Sequence, residues 1–119
     1  MHNSFPTPPP IIPDLGGFSL LVPISLNNDY LLQAHTYQCC VFIHLRFIRF
    51  TKKTLLRAKK DFHNYLKMVR IPAVFSWHDK TISSNQRKFL LLAGFLPAYE
   101  TPDLELFSFC NPWSTQNPL

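Results

Sequence analysis

The sequence predicts an α/β (α+β) domain with a mixed, mostly antiparallel sheet flanked by two helices. Three observations predict it. Short runs rich in β-branched and aromatic residues occur in both halves of the chain. Between them the apolar spacing changes twice from steps of two to steps of three and four, the mark of helical faces. Aromatics suit a half-buried pleated surface, and here 11 Phe stand against only 3 Gly. Strands alternating with helices call for helices packed on the faces of a sheet.

The chain has 119 residues, 46% hydrophobic and 16% charged, which suits one domain with its own core and excludes a disordered polymer. Residues 1–15 form a proline-rich N-terminal arm. Pro6, Pro8, Pro9, Pro10 and Pro13 fix φ and remove donors, so it is extended or polyproline-like. It is either an arm that packs on a neighbour or a terminus without fixed structure. The domain proper runs over 16–110, and residues 111–119 form an irregular tail.

Phe18–Leu26 and Tyr30–Tyr37 read as a β-hairpin. Asn27-Asn28-Asp29 between them tolerate the left-handed region that tight turns use. Pro23 cannot donate to a ladder, so its strand lies at an edge or carries a bulge. Cys39–Phe50 is a third strand leading into a connection. Leu55, Ala58, Phe62, Tyr65, Leu66 and Val69 then mark one face of a long helix, with Thr51 as N-cap and Pro72 forcing an end before Ile71. Ile71–Trp77 is a short strand. Ser83 or Ser84 caps a second helix, whose face is Gln86, Phe89, Leu90 and Ala93, with Gly94 as its left-handed stop. Phe95–Glu100 and Leu104–Phe109 are the last strands, turning at Thr101-Pro102-Asp103. On the final strand Leu104, Leu106 and Ser108 face one side, and Glu105, Phe107 and Phe109 the other.

The run Ser83-Ser84-Asn85-Gln86-Arg87-Lys88-Phe89-Leu90-Leu91-Leu92-Ala93-Gly94-Phe95 resembles the last helix and following strand of GNAT-type N-acyltransferases, which show Asn, a helix, then Gly-Phe. The element order from Cys39 to Phe109 is similar too. More narrowly, about 70 residues resemble the acetyltransferase-like internal core proteins of short-tailed bacteriophages. These share a basic helix like Thr51–Val69, an Arg/Lys-Phe-Leu helix as at Lys88-Phe89-Leu90, and a final strand like Leu104–Phe109.

The resemblance implies an acetyl-CoA site whose pyrophosphate loop, Gln/Arg-x-x-Gly-x-Gly/Ala, precedes the long helix. Here that stretch is Leu45-Arg46-Phe47-Ile48-Arg49-Phe50-Thr51-Lys52-Lys53, without a glycine, and bulky residues keep phosphate from the backbone. Ser83 stands where the family has Asn, and Leu90 where it often has a Tyr general acid. The Cys39–Phe50 strand offers no Glu as base. His35 and His44 are the nearby substitutes.

The net charge of +5 favours anionic partners. Arg46, Arg49, Lys52 and Lys53 gather at the N-terminus of the long helix, where cations oppose the macrodipole, so an anion is expected there. Lys53, Arg57, Lys60 and Lys67 form a basic stripe opposite the apolar face. It is either the wet side of the helix or a track for phosphates. No metal spacing joins the histidines, and Cys39, Cys40 and Cys110 have none either. Trp77, Tyr99 and Trp113 read as core or interface aromatics. No apolar run is long enough to cross a bilayer.

These readings lead to a phage-type structural or assembly protein on a catalytically degenerate acetyltransferase-like fold. It would need no cofactor. Its partners would be virion or assembly proteins, including an acidic or phosphate-bearing one, in the host cytoplasm or the virion. The alternatives are an acetyl-CoA-dependent N-acetyltransferase and a small basic nucleic-acid-binding protein.

Overall fold

A computed structural model describes residues 20–82 and 84–114 of the chain. The whole N-terminal arm, Ser83 and the end of the tail lie outside them. The protein is an α+β domain with one six-stranded sheet and two helices. The order is β1 (Leu20–Leu26), β2 (Tyr30–Tyr37), β3 (Cys40–Phe47), α1 (Lys52–Val69), β4 (Ala73–Asp79), α2 (Asn85–Ala93), β5 (Leu96–Glu100) and β6 (Leu104–Cys110). Across the sheet the strands run β1-β2-β3-β4-β6-β5. Only β3 and β4 are parallel, meeting at Phe42 and Phe75; every other pair is antiparallel. The Ser76 hydroxyl donates to the Ile43 carbonyl at 2.7 Å and so adds a side-chain bond to this short parallel ladder.

β1 is an edge, and its register shifts between Pro23 and Ser25, where the missing donor predicts a bulge. The turn to β2 closes without left-handed residues, contrary to expectation. The Asn27 side chain closes it instead, accepting from the amides of Asp29 at 2.8 Å and Tyr30 at 3.0 Å. Left-handed backbone appears one hairpin later, at Gln38 (φ 50°) and Cys39 (φ 63°). These two residues make the tight β2–β3 turn, so Cys39 leaves the strand the sequence assigns it to.

Thr51 caps α1 through a reciprocal box with Thr54, and Arg70 ends the helix in the left-handed region. Thr54, Ala58, Phe62 and Leu66 are its buried residues. Leu55 and Tyr65 flank them half-buried, while Val69, expected on the apolar face, is exposed. α2 buries Phe89, Leu90 and Ala93. Gly94 ends it at φ 110°, and a Cβ there would stand 2.8 Å from the Phe109 ring.

Both helices lie on the same face of the sheet rather than on opposite ones. The reason is aromatic. Phe62 of α1 touches Phe89 of α2, Phe95 and Phe109 at ring separations of 6.2, 5.2 and 5.4 Å, which needs all four on one side. Tyr30, Leu32, Ile43, Leu45, Val74 and Phe107 complete that core from the sheet. On β6, Glu105, Phe107 and Phe109 face the helices as the alternation requires. The opposite face carries His35, Phe42, Phe75 and Ser108 in one cross-strand row, and Trp77, Leu106 and Tyr99 in another.

The tail is better anchored than expected at its start. Asn111 is buried, and its side-chain amide donates to the carbonyls of Leu66 at 3.1 Å and Ile71 at 2.9 Å. Trp113 meets the His63 ring at a tilt, 5.4 Å between centroids, and lies under Lys67.

Phe89 is wholly buried between the helices. Phe89→Ala should cost about 3–5 kcal/mol in urea unfolding, the range for truncating a core Phe. A loss below about 1 kcal/mol would show that the ring does not hold the helices together.

Candidate functional site

The basic end of α1 is built by three segments meeting. β3 runs into Ile48–Thr51, the helix starts, and the β1–β2 turn folds against both. The amides of Ile48 and Arg49 both donate to the Asp29 carbonyl, at 2.8 and 2.9 Å. The Asp29 carboxylate accepts from Arg57 Nη1 at 2.8 Å and lies 3.7 Å from Arg49 Nε. Thr51 Oγ1 accepts from the Thr54 amide at 3.1 Å, while Thr54 Oγ1 accepts from the Thr51 amide at 2.9 Å. The amides of Ile48, Arg49, Thr51 and Thr54 therefore already bond to the chain itself.

Asp29 is thus an internal anion at the mouth where the charge pattern calls for one. Sequence reasoning assigned it only to a turn, because its partners are 20 and 28 positions away. The four predicted cations are not all together. Arg49, Lys52 and Lys53 are exposed around the mouth. Arg46, also exposed, sits further back on β3 opposite Leu31 and lines a cavity of about 160 Å³ with Leu45, Asn85 and Gln86. Ser83, the remaining predicted anion-site residue, lies outside the described residues; Ser84 is the N-cap of α2 and makes no side-chain capping bond.

His35 and His44 do come together. They sit diagonally on neighbouring strands, on the face away from the helices, with Nδ1 of His35 3.1 Å from Nε2 of His44. One nitrogen must carry the proton and the other accept it, so the contact needs the accepting ring neutral. Burial lowers the pKa of His35. Burial, and then the charge of His35, lowers that of His44 to about 4. At neutral pH the pair is an uncharged hydrogen-bonded unit and a weak base.

A third cluster was missed. His78, Lys80, Arg87, Glu100 and Glu105 line an open polar cleft of about 430 Å³ where β4 ends and α2 begins. His78 and Glu105 are cross-strand neighbours facing the helices, and both are buried. His78 Nδ1 is 3.2 Å from Gln86 Oε1, which sets that nitrogen as the donor. Arg87 donates to Glu105 at 3.0 Å through Nε. Lys80 donates to Glu100, and this bond holds the Glu100 carboxyl below its usual range. The cleft therefore balances its charges pairwise and has no net preference for an anion or a cation. The available signal was Glu105, a carboxylate on the same strand face as Phe107 and Phe109.

His63 packs on the helix side, its Nε2 3.0 Å from the Ala93 carbonyl. Among the described residues no three His, Cys, Asp or Glu side chains converge as metal ligands. No described helix is long and apolar enough to cross a membrane. No family model, curated protein or solved structure matches the chain.

The histidine pair sets a pH dependence. His44 binds its proton far less readily folded than unfolded, so the unfolded chain takes up more protons as pH falls. Stability should be level above about pH 6.5 and decline towards pH 4, by about 3 kcal/mol in total. Urea titrations across that window should show the slope, and His44→Gln should remove the larger part of it. An undiminished slope in that variant would assign the effect to other groups.

Proposed function

We propose that this chain is a structural or assembly protein of phage type, using a degenerate acetyltransferase-like domain as a rigid body rather than as a catalyst. The observation that carries this reading is the pair of hydrogen bonds from the Ile48 and Arg49 amides to the Asp29 carbonyl. It occupies two main-chain donors of the segment where the family resemblance would put the cofactor's pyrophosphate. Leu90, at the position of the family's general acid, is fully buried and carries no proton to give. The strand–helix–strand–helix–strand–strand order over Cys40–Cys110 agrees with the resemblance.

In this reading the domain works through its surface. Arg49, Lys52 and Lys53 at the mouth, with Lys60 and Lys67 along α1, present exposed positive charge to an acidic face of another virion or assembly protein. The protein would then reside in the virion or in the cytoplasm of the infected host. Mass spectrometry of purified particles and assembly intermediates tests this directly. Recovery of the chain at fixed stoichiometry is expected, and its absence from all of them would overturn the reading.

One measurement separates this reading from the enzyme, and a second tests the basic mouth itself. Calorimetric titration with acetyl-CoA should show no binding tighter than about 1 mM, a weakness equivalent to roughly 4 kcal/mol. Micromolar binding accompanied by acyl transfer would establish the acetyltransferase instead. The double variant Lys52→Glu with Lys53→Glu should gain about 0.3–1 kcal/mol per site in the isolated domain, because acids suit a helix N-terminus. A less stable double variant would mean that these lysines make favourable contacts of their own.

A further inference from the structure

β2 and β3 pair without a bulge along their whole length, from Tyr30 opposite Phe47 to Tyr37 opposite Cys40. The tight turn at Gln38 and Cys39 fixes that register. The ladder therefore holds the rings of His35 and His44 in a set geometry. Their facing nitrogens, Nδ1 and Nε2, are 3.1 Å apart, and the ring planes meet at 37°.

That separation is also the bite of a metal ion. Two imidazole nitrogens bound to one ion at about 2.0–2.1 Å stand 3.1 Å apart when the angle at the metal is about 98°. Such an angle falls between the square-planar and tetrahedral values that copper and zinc adopt. A tilt of the rings that turns both lone pairs to one side of the nitrogen–nitrogen line admits the ion.

The surroundings favour ligation over protonation. His35 stands opposite Phe42, which pairs in turn with Phe75, so the neighbours along this row are aromatic. An apolar setting disfavours a charged ring and keeps neutral imidazole lone pairs for a metal. His35 is 2% exposed, but His44 is only half-buried and gives access from solvent.

The exchange releases no proton. The hydrogen on the donating nitrogen passes to the other nitrogen of the same ring, and both facing nitrogens then give their lone pairs. Nε2 of His35 has no hydrogen-bond partner, so nothing but His44 fixes the tautomer of that ring.

We propose that Nδ1 of His35 and Nε2 of His44 form a two-histidine site for a divalent transition metal ion of the zinc or copper kind. Among the described residues no third His, Cys, Asp or Glu converges there, so water fills the remaining positions. The site clips β2 to β3 beside their turn. It is independent of the functional reading above.

The test titrates zinc sulfate into the full chain at neutral pH and follows the histidine ring nitrogens by long-range proton–nitrogen correlation. Nδ1 of His35 and Nε2 of His44 should shift together and saturate at one ion per chain, with a Kd below about 1 mM. In His44→Gln, with the dispersion of the backbone spectrum retained, the shift at His35 Nδ1 should vanish. The unsubstituted chain alone decides the matter if that variant does not fold. Zinc up to about 1 mM that leaves both nitrogens unshifted overturns the proposal, even if it binds elsewhere on the chain. A shift at one ring only, or one that persists at His35 in folded His44→Gln, overturns it as well.

Discussion

The helical layer depends on one ring. Phe62 stands at the crossing of α1, α2, the start of β5 and the end of β6, touching Phe89, Phe95 and Phe109. Each ring pair adds about 0.5–1.5 kcal/mol beyond the area it buries, so the cluster outweighs any single surface contact. It also explains the glycine that ends α2. Phe109 must come within van der Waals range of the chain as it leaves the helix, and only a residue without Cβ lets it. The site geometry follows, because the cluster fixes where α1 starts and α2 begins relative to the sheet.

Asp29 then decides what the basic end of α1 can do. Its carbonyl and its carboxylate act on different partners, the first on main-chain amides and the second on Arg57 and Arg49. Arg57 also lies over the Tyr30 ring, and the Tyr30 hydroxyl donates to Asp61 on the next turn of the helix. A hairpin turn, a strand and a helix are tied by this chain of contacts. The exposed ion pairs within it are worth little singly. Their effect is to fill a pocket of positive potential from within, leaving only the outward-facing lysines to meet anything else.

Much of this is legible in the sequence, for identifiable reasons. α1 is readable because its capping threonine, its apolar steps and Pro72 agree. β6 is readable because its alternation is strict enough to place Glu105 beside Phe107 and Phe109. The Gln38–Cys39 turn is not, since neither residue is a usual left-handed former and both sit between β-prone neighbours. The His35–His44 contact is not either: it depends on that turn's register, and a slip of one residue would send the two rings to opposite faces. The Asp29 interactions and the His78 cleft join residues from separate elements, and no local spacing encodes them. Val69 fits the helical period yet is exposed, because it lines an open groove between the last turns of α1 and the edge strand β1.

Asn111 has a consequence for how the molecule ages. Its amide nitrogen faces two carbonyl oxygens, from Leu66 and Ile71, which fasten the end of α1 to the start of β4. Hydrolysis of that amide would put a carboxylate oxygen against two acceptors in a buried place. The usual route to such damage begins when the nitrogen of the following residue attacks the side chain and closes a succinimide. The following residue is Pro112, whose nitrogen bears no hydrogen and cannot complete that ring closure. The side chain that can least tolerate conversion to an acid is thereby shielded from spontaneous deamidation by its neighbour in the chain.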